Sequence, residues 1–342
     1  PRITQVIQTQ SKRLMHLGTR YPNAQTEAAA YAVLELVGID GGKCTFLSSG
    51  SEAVEFGVQT VRRTTGRPLL LTFTSAYLGA YGSAGSKRED EWQLLDWDAC
   101  NRADPHGCLD GIPFEQIGAF VFEPGGSGSG FVRFPPRALV QAIAQRVREA
   151  DGLIMVNEVT TGMGRTGRWF GFQHYDLRPD IVTLGKGLGN GYPVSAVAMA
   201  CGVAERVAAS HFHYAQSHQN DPLGCAVAQE VIAAMEEGNW VERGRAMGTF
   251  FLQGLKRLEV KHPIVKEARG RGLLLGLELV PDTPLSARAI YERLLAEGLL
   301  VGYYATGNML RFDPALTIGK AEITRLLEQL DRILREAGDT ES

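Results

Sequence analysis

The chain has 342 residues, of which 44% are hydrophobic and 21% are charged, and its formal net charge is -3 at pH 7. This length predicts two domains, or one large domain with an appendage, and it permits a large buried core. The charge is close to neutral and contains no long block of one sign, which argues against nucleic acid as a partner.

The cysteines are odd in number, scattered and without a Cys-x-x-Cys pair: Cys44, Cys100, Cys108, Cys201 and Cys225. Neither a disulfide framework nor a zinc site is indicated, and a reducing cytoplasm is the expected compartment. No apolar run approaches the length of a membrane span, and residues 1–13 contain no signal-peptide core. We therefore expect a soluble, cytoplasmic protein that does not bind membranes.

The first predicted elements are a short amphipathic lead-in over residues 1–20 and a helix over 26–37, capped by Asn23 or Thr26. A predicted strand over 43–47 then leads through a Ser/Gly turn into a helix that reaches about residue 65. The free N–H groups of such a helix start, with the hydroxyls of the turn, form a cradle for an anion such as phosphate. The same Ser-Gly-Ser pattern is also an ordinary helix cap, so both interpretations stay open.

Predicted strands over 69–73, 91–95 and 119–123 follow. Tyr77 comes shortly after the first of them, and it lies either over a flat ligand at the carboxyl edge of the sheet or in the core. The run of glycine and serine over 125–130 predicts a loop, either a flexible lid or a close approach of the backbone.

A helix over 136–150 and an apolar strand over 152–156 lead into polar residues that begin with Asn157 and Glu158. Polar groups at the end of a buried strand, in a chain that alternates strands and helices, point into a ligand crevice.

The next predicted strand, over 181–184, places Lys186 between Gly185 and Gly187. The glycines leave room beside the amine for a flat group. The apolar strand implies partial desolvation, which lowers the pKa of a lysine and favours a Schiff base. The alternative is a surface lysine in a glycine-rich turn.

The alternation of strands and helices predicts an α/β fold with a mostly parallel sheet covered on both faces. Beyond about residue 240 the pattern changes to a long helix, four short strands and two further helices, which is typical of a smaller α+β unit. The predicted organisation is a lead-in over 1–20, a large domain over 21–238 and a small C-terminal domain over 239–342.

Taken together, the motifs resemble the class III aminotransferases, the ornithine and acetylornithine type among the fold type I enzymes that use pyridoxal 5'-phosphate (PLP). The resemblance covers nearly the whole chain and rests on Ser49-Gly50-Ser51-Glu52, Glu123-Pro124, Glu158-Val159, Thr161-Gly162, Gly164-Arg165-Thr166-Gly167, Pro179-Asp180-Ile181, Gly185-Lys186-Gly187, Pro222-Leu223, Arg269-Gly270, Gly272 and Arg311. It implies a fold type I transferase, a PLP cofactor bound to Lys186 as a Schiff base, and a homodimer with sites at the subunit interface.

The resemblance also implies roles for individual residues. Gly50 and Ser51 match the phosphate cup, and Ser217 matches a hydroxyl that reaches the phosphate from the neighbouring subunit. Tyr77 matches the aromatic ring stacked on the pyridine ring, and Arg311 matches the arginine that binds the substrate α-carboxylate, a task suited to a planar guanidinium. For Arg311 the alternative is a surface ion pair.

The expected cofactor-binding set also includes residues beside these: Ser49, Leu78, Glu123, Asn157, Val159, Thr160 and His218. Leu78 replaces a histidine that usually follows the stacked aromatic residue, and Thr160 replaces a glutamine near the ring hydroxyl. Glu158 is expected to support that side of the site, and Lys186, Asn157 and Glu158 form the expected catalytic set.

Three departures from the family pattern matter. Asn157 replaces the aspartate under the pyridine nitrogen, and an amide cannot hold a proton there by charge, so we expect a weaker electron sink. The glycine-rich loop lacks the glutamate that pairs with the active-site arginine in ornithine-type enzymes. Family members also have an N-terminal segment of a few dozen residues before the point at which this chain begins. We therefore expect either a fragment or an enzyme with a shorter N-terminal segment.

The expected function is transfer of an amino group from an amino acid or amine to a 2-oxo acid such as 2-oxoglutarate, by a ping-pong mechanism through Lys186. Two alternatives stay open. Asn157 motivates an amino-acid racemase or epimerase, since some racemases work with an unprotonated pyridine ring. Asn157 and the short start together motivate a PLP-binding protein with little catalysis.

Overall fold

The computed structural model describes residues 1–18, 20–103, 107–126, 132–281, 283 and 285–339. Most of the predicted glycine-rich loop, residues 127–130, therefore lies outside the described residues. The chain divides into two compact units. The first comprises residues 1–124, 135–162 and 170–238, and the second comprises residues 125–134, 163–169 and 239–342.

The first unit is built on a sheet that has seven strands in the part of the chain that is described. In chain order these are β1 (Lys43–Leu47), β2 (Leu69–Phe73), β3 (Trp92–Leu95), β4 (Ile117–Phe122), β5 (Leu153–Asn157), β6 (Ile181–Leu184) and β7 (Ser195–Met199). Their spatial order is β1-β7-β6-β5-β4-β2-β3, and of these seven strands β7 runs in the direction opposite to the other six. The prediction of a mostly parallel sheet is thus confirmed.

Every residue of β4, β5, β6 and β7 is buried, as the near-continuous apolar runs of these strands require for a sheet covered on both faces. The α-helices of this unit, in the part of the chain that is described, are α1 (Arg2–Ser11), α2 (Ala24–Val37), α3 (Gly50–Thr65), α4 (Gly82–Ser86), α5 (Trp97–Ala103), α6 (Arg137–Glu149), α7 (Cys201–Ala209) and α8 (Pro222–Glu237). The cap of α2 is Asn23 rather than Thr26, since the Asn23 side chain accepts a hydrogen bond from the Thr26 backbone N–H at 2.8 Å.

The second unit carries a four-stranded antiparallel sheet in the order β10-β11-β9-β8. Its elements are α9 (Trp240–Lys261), β8 (Val265–Arg271), β9 (Leu274–Leu279), α10 (Ala287–Ala296), β10 (Gly302–Tyr304), β11 (Met309–Phe312) and α11 (Lys320–Asp339). Apolar side chains of α11 recur at helical spacing, at Ile323, Leu326, Leu330 and Ile333, and they pack in one core with side chains of α9 and the sheet.

Element boundaries differ from the sequence prediction by a few residues, and one difference concerns the site. Strand β5 ends at Asn157 rather than at Val156, because Asn157 pairs with Thr183 of β6. The last strand residue is therefore itself polar. Among the helices of the described part, none combines the length and apolar content needed to cross a bilayer.

Candidate active site

Four neighbouring parallel strands, β2, β4, β5 and β6, end at one edge of the large sheet. Asn157 is the last residue of β5, Glu123 follows β4, and Lys186 comes two residues after β6. Tyr77 lies four residues after β2. The carboxyl edge of a parallel sheet is where ligands bind in open α/β folds, so the structure gathers these predicted residues where a site is expected.

Lys186 lies in a short turn of 3₁₀ helix directly after the buried Gly185. Its backbone is in the left-handed region, with φ at 41°, a conformation that costs a non-glycine residue about 1–3 kcal/mol and is concentrated at functional sites. The amine Nζ donates a hydrogen bond to Thr160 Oγ1 at 2.7 Å. The side chain is exposed, so the expected partial desolvation of the amine is not provided by the chain alone.

Val159 packs between the start of α3 and the lysine turn. A Cβ atom on Gly50 would lie 2.5 Å from Val159 Cγ1, and one on Gly185 would lie 3.3 Å from the same atom. The close approach of Gly50 to Val159 therefore requires glycine. It places the first turn of α3 beside the turn that carries Lys186.

The start of α3 is shaped for an anion. Ser49 caps the helix by accepting from the Glu52 N–H at 3.2 Å, and the Ser49 carbonyl accepts from Ser195 Oγ at 2.8 Å. Ser51 Oγ accepts from the Ala80 N–H at 3.0 Å, which fixes the hydroxyl at the mouth of the helix. The first-turn N–H groups of an α-helix have no carbonyl partner within the helix, and with the helix dipole they favour a phosphate.

The backbone N–H and the backbone carbonyl of Tyr77 are both hydrogen-bonded. Its N–H donates to Glu123 Oε2 at 3.1 Å, and its carbonyl accepts from Asn157 Nδ2 at 3.0 Å. The residue is 44% exposed, so its ring belongs to the surface of the unit and not to the core. Leu78, in contrast, is 1% exposed, so its side chain is a core side chain.

The Asn157 side chain is buried and held at both ends. Besides the bond from its nitrogen to Tyr77, its Oδ1 accepts from the Val159 N–H at 3.1 Å and from Thr183 Oγ1 at 3.4 Å. Thr183 is a site residue that sequence reasoning missed. It could have been found, because parallel pairing of β5 with β6 brings polar residues near the ends of both strands together.

Both carboxylate oxygens of Glu158 are bound by protein donors. They accept from Thr161 Oγ1 at 2.7 Å, from the Gly171 N–H at 2.9 Å and from the Phe172 N–H at 2.7 Å. Burial raises the pKa of Glu158 to about 7, although these three hydrogen bonds act in the opposite direction. These contacts tie the end of β5 to residues 171–172. The place of Glu158 in the expected catalytic set stays a prediction.

In the second unit, Arg311 lies on β11 with its side chain 12% exposed. Nη2 donates to Asp313 Oδ2 at 2.9 Å and Nη1 donates to Tyr304 Oη at 3.1 Å. Asp313 and Tyr304 were not predicted. Asp313 had a signal, since residues two apart on an extended strand point to the same side.

Ser217 and His218 lie exposed in the loop before α8. The His218 N–H donates to Gln216 Oε1 at 2.8 Å, and Nδ1 of His218 is 2.6 Å from Asp221 Oδ2. The other carboxylate oxygen of Asp221 is 2.7 Å from His16 Nδ1. These contacts belong to one chain, so a role of Ser217 in a neighbouring subunit stays a prediction.

Comparisons with known proteins agree with this fold. The family described as aminotransferase class-III matches residues 112–334. The acetylornithine aminotransferase of Methanopyrus kandleri is 30% identical over 99% of this chain and 86% of its own length. The leucine/methionine racemase of Thermococcus litoralis is 28% identical over 98% of this chain and 83% of its own. The solved structure of Toxoplasma gondii ornithine aminotransferase has a TM-score of 0.87 and 25% identity, and covers 99% of this chain and 83% of that one.

The residues present fit PLP. The first turn of α3 offers N–H groups and hydroxyls for a phosphate, and glycine is required at Gly50 to leave this turn close to Lys186. The exposed ring of Tyr77 offers a flat face, and Lys186 offers an amine. Fold and site together define a PLP-dependent transferase of fold type I. The chain belongs to the class III aminotransferase family.

Proposed function

We propose that Lys186 is the amine that attaches PLP, and that the same amine moves a proton at the α-carbon of the substrate in a ping-pong transfer between an amino acid or amine and a 2-oxo acid. The observation that carries this proposal is the position of Lys186 after the end of β6. Its Nζ donates a hydrogen bond to Thr160 Oγ1, and the neighbouring Val159 packs against Gly50 at the start of α3. The hydroxyl of Thr160 orients the amine.

When bound, PLP supplies the carbonyl carbon that accepts the amino group and the ring that withdraws electrons from the substrate. The chain supplies the rest. Gly50 and Ser51 hold the phosphate at the α3 dipole, and Tyr77 covers a ring face. Glu158 positions the loop after β5, and Arg311 binds the substrate carboxylate through its planar fork.

The proposal extends to the assembly and its setting. Ser217 is exposed in the loop before α8, which is compatible with a hydroxyl donated to the phosphate site of a second copy in a homodimer. We place the enzyme in the reducing cytoplasm, which is compatible with the finding that none of the five cysteines is in a disulfide: Cys44, Cys100, Cys108, Cys201 and Cys225.

Reduction with borohydride followed by peptide mapping tests the central step. The holoenzyme should carry the reduced cofactor on Lys186, and a Lys186→Ala variant should carry none. A label on another lysine, or a protein that stays colourless when PLP is supplied, would overturn the proposal.

A racemase is the second candidate, and two observations favour it: the leucine/methionine racemase relative and Asn157 in place of the aspartate of the family pattern. The two activities separate when the holoenzyme is given one enantiomer of an amino acid and no 2-oxo acid. A racemase would remove the optical activity with continuous turnover. An aminotransferase would stop after one conversion of the cofactor, leaving the remaining amino acid optically unchanged.

A further inference from the structure

Asn157 presents a fixed pattern of donors and acceptors. Its Oδ1 accepts hydrogen bonds from two donors, the Val159 N–H at 3.1 Å and Thr183 Oγ1 at 3.4 Å. Its Nδ2 donates to the Tyr77 carbonyl at 3.0 Å. The residue is 5% exposed, so water does not substitute freely for these partners.

The orientation of the amide follows from this pattern. Rotating the amide by half a turn would place its NH₂ against the Val159 N–H and its carbonyl against the Tyr77 carbonyl. Two attractive contacts would become two repulsive ones in a buried place, and each unsatisfied buried polar group costs about 1–3 kcal/mol. The Tyr77 carbonyl cannot turn away easily, because the N–H of the same residue is bonded to Glu123 Oε2 at 3.1 Å.

An amide nitrogen has two hydrogens, and the bond to Tyr77 uses one of them. With Oδ1 occupied by two donors, the group that Asn157 offers to a ligand is the second N–H. A ligand atom placed there must therefore accept a hydrogen bond. A pyridine nitrogen with a free lone pair meets this requirement, whereas a protonated pyridine nitrogen would set one N–H against another.

We propose that Asn157 donates its second amide hydrogen to the pyridine nitrogen of PLP and so keeps the ring in its neutral form. This rests on the proposed function, since it assumes that PLP is held at Lys186. The free N–H of Asn157 then matches the lone pair of a neutral pyridine nitrogen, and the groups around Asn157 match the donor and acceptor of an amide. A carboxylate at the same position would place one oxygen against the Tyr77 carbonyl, so Asn157→Asp would restore the family's aspartate at the cost of a repulsive contact.

The test uses the holoenzyme loaded with PLP that carries ¹⁵N in the ring, and the readout is the ¹⁵N chemical shift, which separates a protonated from an unprotonated pyridine nitrogen. In the wild-type protein the signal should stay in the unprotonated range from pH 6 to pH 9. Asn157→Asp should move it to the protonated range, which provides the reference signal from the same fold. A protonated ring nitrogen in the wild-type protein at neutral pH would overturn the proposal.

Two further measurements keep the proposal testable if a variant folds poorly. A PLP analogue with C–H in place of the ring nitrogen cannot accept the hydrogen bond, so it should bind the wild-type protein about 2–10-fold more weakly than PLP, the effect of one ordinary hydrogen bond. Equal binding would count against the bond. The apo form of Asn157→Asp should also melt at a lower temperature than the wild type at pH 8, and an unchanged melting temperature would contradict the amide-specific surroundings.

Failure of this proposal is distinguishable from failure of the proposed function. Borohydride reduction of the same labelled sample reports whether the cofactor is on Lys186. If Lys186 carries the label and the ring nitrogen is protonated, only the role of Asn157 is wrong. If Lys186 carries no label, the site itself is wrong.

Discussion

Two buried carboxylates, Glu158 in the first unit and Glu278 in the second, are held in opposite ways. In the first unit, Glu158 receives hydrogen bonds from neutral donors, and burial raises its pKa to about 7. In the second unit, burial also acts to raise the pKa of Glu278, but hydrogen bonds from Lys266 and Arg269 outweigh it, and the pKa is lowered. Both cations approach the carboxylate to 2.6 Å.

The partners of Lys186 and Arg311, the two side chains with proposed functions, also differ in charge. Lys186 is oriented by the hydroxyl of Thr160, whereas Arg311 is oriented by the carboxylate of Asp313. The Thr160 hydroxyl contributes no charge of its own to the amine that it binds. An ionic partner holds a guanidinium in place but competes for the charge it presents. The first arrangement suits covalent chemistry, and the second suits recognition that must be reversible.

Removing the amine of Lys186 should have the largest effect. Lys186→Ala should lower the rate of amino transfer by about 10³-fold or more, since it removes both a nucleophile and a proton carrier. Lys186→Arg is the matched control, because it keeps a cation near Thr160 that cannot attach an aldehyde. Both variants should lose the visible absorption band of lysine-attached PLP together with turnover, and an active Lys186→Ala protein would refute the assignment.

The pH dependence of stability should differ in sign between the two carboxylates. Because the folded-state pKa of Glu158 lies above its ordinary value of 4.5, the unfolded chain loses this proton first as pH rises. The contribution of Glu158 therefore falls between about pH 4.5 and pH 7, by about 3–4 kcal/mol, since one pKa unit is worth about 1.4 kcal/mol. Chemical denaturation of the wild type and Glu158→Gln across this range measures it.

Glu278→Gln is the matched control for that experiment. The pKa of Glu278 is lowered in the folded state, so its contribution to stability is present above pH 4.5 and is lost as the pH falls through its folded-state pKa. The difference between wild type and variant should therefore shrink on acidification for Glu278, and should shift in favour of the wild type on acidification for Glu158. The same sign for both residues would break the contrast between the two units.

The sequence could predict the sheet and the strand-end residues because both follow from local order. Apolar runs gave strands such as β6, and chain order alone put Lys186 and Asn157 at one edge. The direction of Glu158 was also accessible in principle, since neighbouring residues of an extended chain point to opposite sides. The contact between His16 and Asp221 was not, because these residues are 205 positions apart and no local pattern connects them.

A smaller effect, on the affinity for PLP, is expected where Gly50 at the start of α3 packs against Val159. A Cβ atom at Gly50 would lie 2.5 Å from Val159 Cγ1, so Gly50→Ala should push the start of α3 away and weaken PLP binding about 10-fold, within the range of overpacking costs. Gly202→Ala is the control, since a Cβ at that position has no atom within 4 Å. The double variant Gly50→Ala with Val159→Ala should recover most of the affinity, and absence of recovery would show that steric contact is not the cause.

The smallest effect concerns the ionic arrangement in the second unit. Asp313 is 44% exposed whereas Arg311 is 12% exposed, and solvent at the carboxylate screens the pair, which we expect to be worth about 1 kcal/mol. Asp313→Asn should free the guanidinium of Arg311 for a substrate carboxylate and lower the KM for a 2-oxo acid about 2–5-fold, with kcat unchanged. An uncharged aldehyde acceptor should show no change in KM, because it does not use the guanidinium. Asp313→Glu keeps the charge and should behave as the wild type. A higher KM for the 2-oxo acid in Asp313→Asn would mean that Asp313 orients Arg311 and does not compete with the substrate, and the ionic and neutral arrangements would then serve the same purpose in both units.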